Sequence, residues 1–215
     1  MPETALPLRI GTRTVATLRR RLARRRLSLA DALAGAVPVL PALAGDEHGY
    51  LVNALPESLV SPLASLHPEL RPFVRHRYPR PFARLGGGFV GYLAGFSAKS
   101  RSTLRRKCRR LAERCGGSLD LRCYRSETEI DAFYGHARAL SARTYQERRL
   151  GYGLPEGEQA LAEMRSLARR DRLRAWLLFV DSRPASYLYA PAEGDTLVYA
   201  YLGYDPDFAD YSPGT

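Results

Sequence analysis

The stretch Leu173-Arg-Ala-Trp-Leu-Leu-Phe-Val180, Asp181-Ser-Arg-Pro184, Ala185 to Ala190, Glu193-Gly-Asp195 and Thr196 to Tyr204 decides the fold. Three strand-like runs are separated by short turn signals. Turns this short join antiparallel neighbours, because a parallel pair needs a crossover of a dozen or more residues. Upstream, Glu156 to about Asp171 has Leu161, Met164, Leu167 and Ala168 at helical spacing. Before it, Gly151-Tyr-Gly-Leu-Pro155 reads as a loop. Ser126-Glu-Thr-Glu129 is a capping box. It opens a helix with Ile130, Phe133, Tyr134, Ala137 and Leu140 on one face, running to about Glu147. Ser118 to Tyr124 alternates apolar and polar side chains, as a strand does. Further upstream, Leu104, Cys108, Leu111, Ala112 and Cys115 form one helix face. Arg105, Arg106, Lys107, Arg109 and Arg110 lie mostly opposite, and Gly116-Gly117 ends the helix. Downstream of Tyr204, Ser212-Pro213-Gly214 reads as a helix opening, with Ser as N-cap and Pro in the first turn. A helix N-terminus after a strand is an anion site. From Ser118 the order is strand, helix, helix, three strands and a helix start, an α/β pattern.

The first hundred residues carry weaker signals. Val15 to Leu33 has helical spacing of Leu and Ala with Arg between. Gly49 to Leu55 reads as a strand, and Pro56 to Leu70 as helical or irregular. Tyr78-Pro-Arg-Pro-Phe-Ala-Arg-Leu85 reads as an edge strand, since its prolines cannot donate to a central ladder. Gly86-Gly-Gly88 precedes an apolar helix from about Phe89 to Phe96. Arg24 to Gly45 has the basic-then-apolar order of an export signal. However, it contains Asp31, is broken by Pro38 and Pro41, and is shorter than a span requires. No membrane span is expected.

Composition adds limits. Of 33 basic residues only Lys99 and Lys107 are lysine, and the net charge is +11. Residues 1–125 carry 23 basic and 8 acidic side chains, and residues 126–215 carry 10 and 14. The two halves therefore offer different electrostatic surfaces. A hydrophobic content of 45% suits a globular chain. Cys108, Cys115 and Cys123 lack the paired spacing of a metal site and read as free thiols in a reducing, cytoplasmic setting.

Four segments together resemble a known family: Ser97 to Lys107, Ser141-Ala-Arg-Thr-Tyr-Gln-Glu147, Trp176 to Pro184 and Tyr204 to Thr215. They are similar to the cellulose-biosynthesis (CelD-like) acetyltransferases of the GNAT superfamily, which in turn resemble the Fem-type aminoacyltransferases of bacterial peptidoglycan synthesis. The resemblance covers about residues 45–215 and is concentrated after Phe96. It implies a GNAT-like mixed sheet flanked by helices, with a degenerate N-terminal half over 1–96 and a C-terminal half over 97–215. The family continues beyond the pyrophosphate-loop start with a helix and further strands. This half is therefore expected to be incomplete and weakly active or inactive by itself.

The resemblance also implies the site. Acetyl-CoA or another acyl-CoA would pair its pantetheine arm with backbone near Ala200, Tyr201 and Leu202. Its pyrophosphate would lie on Ser212, Gly214 and Thr215. Gly214 and Thr215 have N–H groups to offer, and Gly allows close approach. Asp205 and Tyr204 are candidates for base and acid, although a sheet-packed Tyr and an Asp-Pro turn explain them as well. Arg143 and Tyr145 precede the Gly-rich loop and are acceptor-binding candidates. Arg143 also suits a helix end, and His136 reads as a partly exposed helical residue. The implied activity is acyl transfer to an amine, or to a sugar hydroxyl, in exopolysaccharide or envelope biosynthesis, with no metal. Two alternatives differ in partner: a Fem-like transferase using aminoacyl-tRNA, and a non-catalytic basic protein binding nucleic acid or another partner.

Overall fold

Hairpin geometry dominates the fold. This computed structural model describes residues 3–144 and 153–214. The chain divides into a unit ending at Phe82 and one beginning at Ala83.

In the first unit, β1 (Thr4–Ile10) and β2 (Arg13–Arg20) form an antiparallel hairpin. β3 (Ala23–Arg26) pairs in parallel with β4 (Tyr50–Asn53), and α1 (Leu29–Ala34) lies in the crossover between them. The expected helix over Val15 to Leu33 is therefore two strands and a short helix. Thr14, Val15 and Thr17 are β-branched and favour a pleated strand. Gly11, at φ +59°, supplies the left-handed turn residue. β4 lies within the expected Gly49 to Leu55 strand. A single 3-10 turn at Glu57–Leu59 leads into α2 (Val60–Leu66). The expected edge strand at Tyr78 to Leu85 is absent. Instead, the Tyr78 hydroxyl accepts from the Ala54 N–H at 3.2 Å, and Arg80 donates to the Leu27 carbonyl at 3.0 Å.

In the second unit, α3 (Gly88–Ala94) precedes α4 (Ala98–Arg114). Ser97 caps α4 by accepting from the Ser100 N–H at 3.2 Å. At its other end Gly116 and Gly117 adopt positive φ, and the Gly117 N–H closes on the Ala112 carbonyl. β5 (Asp120–Tyr124) leads to α5 (Glu127–Arg143), where the Glu129 carboxylate accepts from the Ser126 N–H at 2.9 Å. α6 (Glu158–Arg169) follows, then β6 (Leu173–Val180) and β7 (Arg183–Glu193). The expected third strand is split into β8 (Thr196–Leu197) and β9 (Tyr201–Tyr204), both antiparallel to β7. The sheet order is β5-β6-β7, with β8 and β9 sharing the outer edge of β7. This mixed helix-and-sheet arrangement is the α/β class read from the sequence.

Strand alternation sends Ala175, Leu177, Phe179, Tyr187 and Tyr189 to one face of this sheet. There they meet Ile130, Phe133, Ala137 and Leu140 of α5 and Met164 and Ala168 of α6. On the other face, Leu111 of α4 and Phe208 join Leu178, Val180 and Ala185 in a small second cluster, with half-buried Cys115 and Tyr211 against it.

Candidate active site

The site is built around a dislocation in the third strand. Ala192 pairs with Leu197, and in that same register the Ala200 N–H donates to the Tyr189 carbonyl at 3.2 Å. From Tyr201 onward the pairing is offset by one residue, Tyr189 with Tyr201 and Leu188 with Leu202. Ala200 and Tyr201 thus share one partner, which is a β-bulge, and a bulge bends its strand and re-aims the residues beyond it. The Asp205 N–H donates to the Ala185 carbonyl at 2.8 Å, which fixes the hydrogen-bonded pairs as Tyr187/Gly203 and Tyr189/Tyr201. The intervening Leu202 and Tyr204 therefore turn their backbone N–H and C=O groups away from β7, toward the open edge.

That edge borders a cleft of about 370 Å³ on the less covered face of the sheet. Leu104, Cys108 and Leu111 of α4 line it, with Leu121 of β5, Trp176 of β6, Leu188 of β7 and Leu202 of β9. Lys107 and the Ser212–Gly214 segment add polar groups at the same cleft, and Arg110 lies 5.3 Å over the ring of neighbouring Tyr211. These residues fit an acyl-CoA in kind. Apolar walls suit an alkyl arm, outward strand groups suit its amides, and cations beside Ser212–Gly214 suit its phosphates.

The cofactor candidates are thereby sorted. Leu202, Ser212 and Gly214 come together at the cleft. Ala200 and Tyr201 form the bulge, and their side chains pack on the α5/α6 core. Thr215 lies outside the described residues. Ser212 is not the N-cap of a helix within the described residues. It takes a left-handed conformation (φ 52°, ψ 51°) after the 3-10 turn Pro206–Tyr211, and its N–H donates to Ala209. An N-cap needs extended geometry. Gly214 is crowded, since a Cβ there would come within 3.1 Å of the Tyr204 ring.

Tyr204 and Asp205 are separated by the strand itself, since successive side chains point to opposite faces. Tyr204 is on the cleft side. Asp205 is 2% exposed and faces the end of α5. Its Oδ2 accepts from Arg143 at 2.6 Å and from Arg183 at 3.4 Å, and its Oδ1 accepts from the Asp207 N–H at 3.1 Å. Asp205 is thus the N-cap of the 3-10 turn, with Pro206 at its first position. Asp207 completes the cluster, accepting from Arg143 at 3.1 Å and from Arg183 at 3.2 Å. Those hydrogen bonds hold the Asp207 carboxyl below the usual carboxylate range. Asp207 and Asp205 in turn raise Arg143 above the usual guanidinium value. Two guanidinium groups and two carboxylates leave the cluster neutral as a whole.

Arg183 and Asp207 lie in segments that carry the family resemblance but were not singled out as site residues, and Gly203 had no functional signal in the sequence. Arg183 reads as turn punctuation, and its partners lie more than twenty residues away. Gly203 is required by packing, since a Cβ would stand 2.7 Å from Tyr187 and 2.8 Å from Thr144. That contact presses the end of α5 onto β9. Leu154 is held against α5 by its N–H donating to Ser141 at 2.8 Å and by Arg138 donating to its carbonyl at 2.7 Å. Tyr145 lies outside the described residues. His136 is exposed and stands edge-on to Phe179, 5.8 Å between ring centres. Among the described residues no group of three His, Cys, Asp or Glu could hold a metal ion.

A search of curated proteins returns no match. The profile of the acetyltransferase (GNAT) domain matches residues 98–215, from the first residue of α4 through the bulged strand and the turn beyond it. That is more than half of the chain, and it contains the whole of the cleft and the arginine–aspartate cluster. The chain belongs to the acetyltransferase (GNAT) domain family.

Proposed function

We propose that this chain transfers an acyl group from acyl-CoA, acetyl-CoA in the first instance, to an uncharged amine or a sugar hydroxyl. Family membership supports N-acyl transfer in general. The observation that carries the finer reading is the bulged edge, where the outward backbone groups of Leu202 open onto the same apolar cleft as Ser212–Gly214.

The co-substrate supplies an activated thioester. The chain supplies position, which is the larger part of such catalysis. Leu202 offers strand-edge hydrogen bonds, and the cleft walls exclude water from one side. In this reading the acceptor's amine or hydroxyl attacks the thioester carbonyl, and Tyr204, beside Leu202 on the cleft face, protonates the departing CoA thiolate. The proton lost by the acceptor returns through water to the Tyr204 phenolate. Asp205 serves as a positioning carboxylate. To take an amine proton it would have to give up its bonds to Arg143 and Arg183, which hold that end of α5 against β9. Arg143 and Arg183 each retain donors beyond those spent on the aspartates, and the half-exposed Asp207 retains acceptor capacity. A neutral cluster with spare donors and acceptors suits hydroxyl- or amine-bearing acceptors, including saccharides, better than it suits a polyanion. A place in exopolysaccharide or envelope synthesis, in a bacterial cytoplasm, belongs to the same proposal. The three free thiols agree with a reducing compartment.

The test is thermal unfolding with acetyl-CoA, for the wild type and Leu202→Pro. Proline at Leu202 removes an N–H that faces away from β7, so the ladder is kept. At a hundredfold excess over Kd a ligand of the native state adds about 2.7 kcal/mol, roughly 5–10 °C for a chain of this size. The wild type should gain that shift, and the variant should lose most of it while melting normally without ligand. If acetyl-CoA shifts neither, and tRNA stabilises both, the aminoacyl-tRNA reading replaces this one.

A further inference from the structure

Residues 83–112 contain eight arginines and lysines and not one aspartate or glutamate. The same stretch carries strongly exposed apolar side chains. Leu85 is 62% exposed, Phe89 72% and Val90 81%, and α3 buries none of its residues. Contiguous apolar exposure of this kind marks an interaction surface. The segment is also well held. Tyr92 packs edge-to-face on Phe96 at 5.0 Å, the Arg101 guanidinium donates to the Phe96 carbonyl, and Ser97 caps α4 directly afterwards. The apolar knob is therefore fixed at the N-terminal end of a basic helix. Arg105 and Arg106 on that helix are exposed, and among the described residues neither forms an ion pair. Arg109 meets Glu113 only at 3.9 Å.

We propose that α3 and the arginine stripe of α4 form a docking surface for an anionic lipid bilayer. Phe89, Val90 and Leu85 enter the acyl–headgroup boundary, and Arg105, Arg106 and Arg109 lie among the lipid phosphates. Each half of the surface finds its complement in an anionic bilayer. A second copy of the chain would cover the apolar knob but would bring two carboxylate-free basic stretches together. A nucleic acid would satisfy the arginines, but it rewards stacked rings rather than buried Leu and Val. A bilayer interface rewards both at once, with apolar burial and electrostatic attraction acting together. Contact is peripheral, since no helix among the described residues is long and apolar enough to cross a membrane. The proposal does not depend on the acyl-transfer reading, as its residues lie outside the β9 edge and the arginine–aspartate cluster.

Vesicle co-sedimentation of the 215-residue chain tests it, with phosphatidylcholine alone and with phosphatidylcholine containing phosphatidylglycerol. The chain should bind only the anionic vesicles, and salt should weaken binding. Replacing Arg105, Arg106 and Arg109 together by Gln should reduce partitioning on the order of 100-fold, at about fivefold per charge. The double change Phe89→Ser, Val90→Ser should reduce it roughly tenfold or more. Both variants should keep the wild-type melting temperature, because the altered side chains are exposed. Three outcomes overturn the proposal. The first is no binding to anionic vesicles. The second is vesicle binding unchanged by Phe89→Ser, Val90→Ser, with polyuridylate bound as tightly, which would indicate a general polyanion surface. The third is self-association of the wild type, abolished by Phe89→Ser, Val90→Ser, in place of vesicle binding.

Discussion

On one face of the sheet, Phe133 and Ile130 of α5 lie fully buried against Leu177 and Tyr189. On the other, Leu121 of β5 is 57% exposed beside Trp176 and Leu202. The strands, their register and their apolar content are shared, and only the covering differs. Two helices close the first face, while α4 and the short 3-10 turn Pro206–Tyr211 shelter only part of the second. A face closed by well-packed side chains is a stability element. A face of similar composition left as a cleft is a place for something else to bind. The arginine–aspartate cluster sits at the end of β9, where the strand passes from the one environment to the other.

Mutations should separate the two faces sharply. Phe133→Ala removes a ring packed between Tyr124 at 5.9 Å and Tyr189 at 6.5 Å, and urea unfolding should show a loss of about 3–5 kcal/mol. The alkaline limb of stability reports the same face. Burial, with smaller contributions from Glu163 and Tyr201, pushes the Tyr189 phenol up to about 12. Its folded value lies above the ordinary phenol value of about 10, so its contribution is complete below pH 10 and is lost as pH rises toward 12. That loss should reach about 2–3 kcal/mol and should be missing in Tyr189→Phe, measured as denaturation midpoints across that window.

Gly203→Ala tests the junction. Its Cβ would collide with the buried Tyr187 and Thr144 side chains, and a loss of about 1–3 kcal/mol is expected. If the melting temperature were unchanged, α5 would not be pressed on β9 as described. The smallest effect should come from the open face, where Leu121→Ala should change stability by no more than about 0.5 kcal/mol. The same substitution should weaken acetyl-CoA binding in a calorimetric titration. A large stability loss at Leu121 would mean that the second face is as closed as the first.

Legibility tracked sequence distance. Ser126 and Glu129 announce α5 because a capping box is written within four residues. Gly116-Gly117 ends α4 for an equally local reason. The hairpin from β6 to β7 was readable because a short turn leaves no other pairing. Val15 to Leu33 misled because Leu, Ala and Arg at helical spacing outweighed the local signal of Thr14, Val15 and Thr17. The bulge at Ala200–Tyr201 left no mark, since a strand with one extra residue has the composition of one without it. Asp205 read as a candidate base and, more readily, as the start of an Asp-Pro turn. Its engagement by Arg143 and Arg183 depends on residues 62 and 22 positions away.

By itself, then, the sequence determined the order of helices and strands from Ser118 to Tyr204, the glycines that end α4, the capping box that opens α5, the antiparallel meander and the resemblance that led to the acyl-transfer reading. All of these rest on hydrogen-bonding and hydrophobic periodicity within a few residues of chain. Only the tertiary structure decided which face of the sheet stays open, which of Ala200, Tyr201 and Leu202 turns its backbone outward, and which guanidinium groups hold Asp205. Those outcomes come from strand register and from contacts between distant segments, where a shift of one residue reverses the direction of every later backbone group in the strand.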